Sequence, residues 1–126
     1  MSKERIYIVE DENAGAQDIA TSLKKLDYVI AGQTDRGETA IREIEELHPD
    51  VVLMDVRLQG QMHGIETARY IHSHFDIPVV FISAHSDTIT MQSAIQAQAY
   101  GYLTRPFDER DLRFNITMAL YKHGME

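Results

Sequence analysis

Acidic side chains crowd two places where short apolar runs end. Ile6-Tyr7-Ile8-Val9 runs into Glu10-Asp11-Glu12, and Val51-Val52-Leu53-Met54 runs into Asp55. Carboxylates brought into one crevice repel one another. At ~4 Å and an effective dielectric of about 20, each like-charged pair costs roughly 4 kcal/mol. A bound divalent cation offsets that cost, because Mg2+ takes carboxylate, water and phosphate oxygens as ligands. A carboxylate beside such a cation can also attack phosphorus, provided the incoming charge is neutralised. A solvated acidic loop accounts for Glu12 better than for Glu10 and Asp11.

That chemistry requires elements that bring the two segments together. Short β-branched-rich runs read as strands buried on both faces of a parallel sheet. In such sheets the ligand crevice lies beyond the carboxyl ends of the strands. Five strand-like runs, at about 4–9, 28–33, 51–55, 78–83 and 100–103, alternate with five helical patterns. The first helix carries Ile19, Leu23 and Leu26 after Asn13 as a cap. The second carries Ala40, Ile41, Ile44 and Leu47 and closes at His48-Pro49. The third carries Ile65, Ala68 and Ile71 and ends before Asp76-Ile77-Pro78. Met91, Ala94 and Ile95 mark the fourth, with Asp87 as its cap. Leu112, Ile116, Ala119 and Leu120 mark the fifth, from about Asp108 to His123.

Regular strand–helix alternation with short links predicts a doubly wound α/β fold of flavodoxin-like (βα)5 type, with a five-stranded parallel sheet. The expected strand order is 2-1-3-4-5. Strands one and three then lie side by side, and Glu10-Asp11 faces Asp55 across the switch point. The 126 residues read as one domain, 1–126, with no internal repeat or linker. A net charge of −8 argues against direct, non-specific nucleic-acid binding, which needs a basic footprint. No run approaches the roughly 18 apolar residues of a membrane span. The absence of cysteine excludes disulfides and thiolate metal sites and fits a cytoplasmic protein.

Four pieces together resemble the receiver domain of two-component response regulators over about residues 4–122. They are Ile8-Val9-Glu10-Asp11-Glu12, Val52-Leu53-Met54-Asp55 with a later Gly64, Phe81-Ile82-Ser83-Ala84, and Gly101-Tyr102-Leu103-Thr104-Arg105-Pro106-Phe107. The resemblance implies that Asp55 is the phosphoacceptor, charged by a phosphohistidine on a histidine kinase or phosphotransfer protein. It implies Mg2+ (or Mn2+) bound by the side chains of Asp11 and Asp55 and the main-chain carbonyl of Arg57, with Glu10 acting through a water. It also implies that the Ser83 hydroxyl and the Ala84 N–H donate to the phosphoryl oxygens. Tyr102 becomes an aromatic switch residue that turns inward as Ser83 shifts.

Three features depart from the family's usual pattern. Glu10 replaces a common Asp. Arg105 replaces the usual Lys, keeping the charge on a longer, planar group that either clamps phosphate or swings outward. The stretch 56–63 is one residue longer than usual and carries Gln59 where Pro is common. Arg57 and His85 occupy rim positions that tune phosphoryl lifetime, and Arg57 is expected to shield the acyl phosphate. The Arg105-Pro106 bond is a candidate cis peptide. His48, His63, His72, His74 and His123 show no metal spacing and are expected at the surface or partly buried.

The fifth helix also carries Phe114, Met118 and Tyr121 at i, i+4 and i+7, roughly opposite its core stripe. A helix apolar on two faces has a second partner. The expectation is a homodimer through the helix-four, strand-five, helix-five face, or docking of a fused output or sensor domain. The last residues, 122–126, keep a helical character, which fits either a stand-alone switch or a receiver excised from a longer protein. A degenerate receiver, acting as a constitutive interaction module, is the alternative that Arg105 and the longer loop favour. An aspartyl-nucleophile phosphohydrolase would need a general acid near position 57, which is Arg. A flavin domain would need a Ser/Thr/Gly-rich phosphate loop after the first strand.

Overall fold

Alternation of side chains along the central strands of a five-stranded sheet divides the core between its two faces. The computed structural model of the chain describes residues 3–58, 63–84 and 88–125. Its elements run β1 (Arg5–Val9), α1 (Asn13–Lys25), β2 (Val29–Thr34), α2 (Gly37–Leu47), β3 (Val51–Asp55) and α3 (Gly64–Phe75), followed by β4 (Val79–Ser83), α4 (Thr88–Gln96), β5 (Gly101–Thr104) and α5 (Glu109–Gly124). The strands pair in parallel in the order β2-β1-β3-β4-β5. This is the flavodoxin-like arrangement that the strand–helix alternation predicts.

Tyr7, Val9, Val52, Met54 and Phe81 pack with Ala40 and Ile44 of α2, Ala68 and Ile71 of α3, and Ala94 and Ala97 at α4. Their chain neighbours Ile6, Ile8, Val51, Leu53, Val80 and Ile82 point the other way, onto Ile19 and Leu23 of α1 and Leu112, Ile116 and Ala119 of α5. A period of two puts successive residues on opposite faces. The continuous apolar runs follow from burial on both sides.

Two local expectations need correction. Asn13 is the first residue of α1 rather than its cap. Glu12 holds the cap position in extended conformation, and no side chain caps this helix. In α4 only one of the three expected stripe residues is buried. Ala94 is buried, whereas Met91 is 41% and Ile95 70% exposed. The buried contact of α4 is made by small Ala94, with Ala97 just past its end, and the larger apolar Met91 and Ile95 turn outward. The helix ends agree better. His48 and Asp76 adopt left-handed conformations just past α2 and α3. Asp108 caps α5 in a reciprocal capping box with Asp111. Expectations placed on Gln59, His85 and Asp87 fall outside the described residues. Among the described residues no helix is long and apolar enough to cross a membrane.

Candidate functional site

Parallel pairing in register delivers the polar residues to one edge of the sheet in a fixed sequence. Val9 pairs with Met54, so Glu10 and Asp11 emerge beside Asp55. Asp55 pairs with Ile82, one residue before Ser83, and Ser83 pairs with Thr104, one residue before Arg105. Backbone bonds continue the ladder past the strand ends: Val56 N–H donates to Ile82 O at 3.0 Å and Arg105 N–H to Ser83 O at 2.9 Å. The acids and Ser83 are therefore anchored by strands whose interiors are fully buried, and Arg105 by the more exposed β5.

Glu10, Asp11 and Asp55 each offer a carboxylate oxygen, all within 4.8 Å of one another. Three hard oxygen donors at this spacing fit Mg2+ or Mn2+. Asp55 Oδ1 accepts a hydrogen bond from Arg57 N–H at 3.0 Å, which holds the start of the β3–α3 loop against the acid. Gly64 lets α3 begin close to that loop. A side chain there would run into the Asp55 carbonyl, and its N–H donates to Val56 O at 3.1 Å.

The electrostatics follow from burial. Glu10 is buried, lies with a carboxylate oxygen within 4.8 Å of one of Asp55, and is paired with Arg105. Its pKa is pushed up to about 7, first by burial and then by the hydrogen bond and charge of Asp55, with Arg105 acting against both. Asp11 is also raised, by burial and then by Glu10. Burial disfavours a charged carboxylate, and a second acid nearby disfavours it further. Without a cation the cluster therefore holds a proton more tightly than free carboxylates do.

Arg105 turns inward. Its Nη2 donates to Glu10 Oε1 across 95 residues of sequence, and the Arg105-Pro106 bond is cis. Ser83 is buried at the end of β4, and Ala84 after it is exposed. Glu12 is exposed, as a solvated loop residue should be. Beside the cluster a cleft of about 520 Å3 opens between Gly15, Ile19 and Ser22 of α1 and Arg105, Pro106 and Phe107. Tyr102 lies half-buried on β5, lining a groove with Met91, Ile95 and Lys122. Its backbone N–H donates to Asn115 Oδ1 of α5 at 3.1 Å.

Of the stripe on α5, Phe114 and Tyr121 are 62% and 64% exposed, and Met118 is half-buried. The described histidines at 48, 63 and 74 are exposed, and those at 72 and 123 half-buried. His123 Nε2 bonds Asp76 O at 2.7 Å, far from the acids in sequence and tying α5 to the end of α3. Gly15 and Asn115 were not singled out by the sequence reading. For Gly15 the small-residue run Ala14-Gly15-Ala16, directly after three acids, is a usable signal. For Asn115 there is none.

A parallel α/β sheet carrying an acid cluster, a hydroxyl and a cation at its carboxyl edge defines a receiver-type signalling module. Residues 6–117 match the model of the response regulator receiver domain, and the chain belongs to that family. The transcriptional regulatory protein PdtaR of Mycobacterium tuberculosis is 37% identical over 117 residues, covering 92% of this chain and 56% of PdtaR. The regulatory protein AtoC of Escherichia coli is 32% identical over 123 residues, 97% of this chain but 26% of AtoC. The chain thus spans roughly half, or less, of these relatives. Among solved structures, the signal receiver domain of a modulated diguanylate cyclase from Desulfovibrio desulfuricans G20 superposes with a TM-score of 0.92 at 33% identity, with 98% of each chain covered. Receiver domains are signalling modules of two-component systems rather than classical enzymes.

Proposed function

We propose that this chain is a phosphoacceptor switch in which Asp55 receives a phosphoryl group from a phosphohistidine on a histidine kinase or phosphotransfer protein. The observation that carries the reading is the convergence of Glu10, Asp11 and Asp55 within 4.8 Å at the carboxyl edge of the sheet. An Asp55 oxygen forms a bond to phosphorus as the phosphorus–nitrogen bond breaks, and the electron pair returns to the imidazole. When bound, Mg2+ or Mn2+ neutralises the phosphoryl charge. Asp11 and Asp55 would hold it through side chains, Arg57 through its carbonyl and Glu10 through a water. The Ser83 hydroxyl and Ala84 N–H donate to phosphoryl oxygens, and Arg105 supplies a cation. The donor approaches over the open cleft beside α1.

The acyl phosphate carries a charge of about −1.5 to −2 where the carboxylate carried −1, and places it on three acceptor oxygens. That charge draws Ser83 inward and lets Tyr102 follow, biasing the α4-β5-α5 surface toward a partner. Exposed Met91, Ile95, Phe114 and Tyr121 suit a second copy of the chain or a fused output or sensor domain. The domain assists its own phosphorylation and hydrolysis and turns over no external substrate. Incubation with acetyl phosphate and Mg2+, followed by intact mass measurement, tests the reading. One phosphoryl adduct in wild type and none in Asp55→Asn is expected.

A second reading is favoured by the engagement of Arg105 with Glu10. In it the domain is a degenerate receiver and a constitutive interaction module. Failure of both acetyl phosphate and beryllofluoride to load Asp55 would support it over the switch.

A further inference from the structure

Glu10 and Arg105, 95 residues apart, meet at the mouth of the site. Arg105 Nη2 donates to Glu10 Oε1, and the acid's side chain is 2% exposed against 31% for the arginine. The backbone of Arg105 is fixed by its N–H bond to Ser83 O. Glu10 and Asp55 place carboxylate oxygens within 4.8 Å of each other, so the guanidinium stands one carboxyl group away from the acceptor. Helix α1 is cut away at this point. A Cβ on Gly15 would lie 2.6 Å from Glu10 Oε1 and 3.3 Å from Arg105 Nη2, a distance real Cβ atoms do not reach in the first case. Gly15 adopts ordinary helical backbone, so space is the reason for it here. Three residues from separate elements thus fit one another.

We propose that Glu10 is the positioning residue for Arg105, with Gly15 as the space that admits the pair. The carboxylate grips one edge of the guanidinium and leaves its remaining N–H donors to meet the phosphoryl group on Asp55. A planar group with five donors can serve two anions at once, whereas a lysine ammonium is a single point charge. Arg105→Lys therefore leaves one ammonium divided between Glu10 and the phosphoryl group. Glu10→Asp withdraws the grip and leaves the guanidinium unplaced. In the double variant the shorter acid no longer claims the ammonium, which is free for the phosphoryl group. This inference rests on the phosphoacceptor reading.

The test uses beryllofluoride with Mg2+ as a phosphoryl mimic, its bound form followed by fluorine NMR, on the whole chain. Glu10→Asp and Arg105→Lys are each expected to weaken binding about tenfold, while the double variant returns to within about threefold of wild type. Gly15→Ala is expected to weaken binding in the wild-type background and to have little effect in the double variant, where the shorter acid has drawn back. A purely structural role for Gly15 would affect both backgrounds alike. Metal-free melting curves confirm that each variant folds and supply a second cycle, in which the pair should again be non-additive. Penalties that simply multiply, or an equal Gly15→Ala effect in both backgrounds, would overturn the pairing and leave the phosphoacceptor reading standing. Wild type that fails to take up beryllofluoride would overturn both.

Discussion

Glu10 sits where burial and a neighbouring acid both oppose its charge, and a proton or a cation must answer for it. Its pKa of about 7, against an ordinary 4.5, means the folded chain binds this proton more tightly than the unfolded one. The resulting stabilisation is complete below about pH 4.5 and is lost as pH rises through about 7. In chelator, raising the pH from 5 to 8 should therefore lower the stability of wild type by roughly 2–3 kcal/mol more than that of Glu10→Gln. Paired thermal melts measure this, and parallel pH profiles would count against a shared proton at Glu10. Added Mg2+ should reverse the loss at pH 8, because the cation takes the proton's place. The acids were legible in the sequence because their type and position at strand ends are local properties. The Glu10–Arg105 pair was not, since no local pattern links residues 95 positions apart, and the alternative of an outward Arg105 had to wait for the fold.

At the level of elements, the sheet was readable because β1, β3 and β4 are continuous apolar runs with a hard polar stop, and the shorter apolar stretches of β2 and β5 alternate with helices around them. Boundaries came within a residue or so for the same reason. Helix α4 was less legible: its apolar residues lie on more than one side, and only packing decides that the alanines face the sheet while Met91 and Ile95 face out. The start of α5 was legible at about Asp108, though not its cap, and the cap of α1 was misplaced at Asn13. The difference lies in reciprocity. Asp108 and Asp111 each accept the other's backbone N–H, at 2.8 and 3.2 Å. Helix α1 instead starts directly from the acidic loop with no side-chain cap. Asp108→Ala should cost about 1 kcal/mol, read as a lower melting temperature. Asn13→Ala, at a position that does not cap, should cost only a few tenths. Comparable losses in the two variants would contradict the capping assignment. Asn115, which ties α5 to the β5 backbone at Tyr102, belongs to the same scale: such a side chain is identifiable only once strand and helix are adjacent.

Across the whole molecule, the acid edge and the exposed apolar face are joined by β4 and β5. Ser83 ends one strand, and Tyr102 sits in its neighbour beside the groove between α4 and α5. Phe114 and Tyr121 lie exposed on α5, Met125 just past its end, and Ile95 on α4. If that face closes on a second copy when Asp55 is loaded, beryllofluoride and Mg2+ should raise the mass seen by solution scattering toward twice the monomer. Phe114→Lys should keep it at one. A monomer in both free and loaded states would rule out the dimer and leave a fused or separate domain as the partner. The central claim, that one of three converging acids accepts phosphorus, is tested most directly by trapping the acyl phosphate. Treatment with acetyl phosphate and Mg2+, then borohydride, followed by peptide mass spectrometry, should find homoserine at position 55 only, and none when Mg2+ is withheld. An unreduced Asp55, or reduction at another carboxylate instead, would contradict the account.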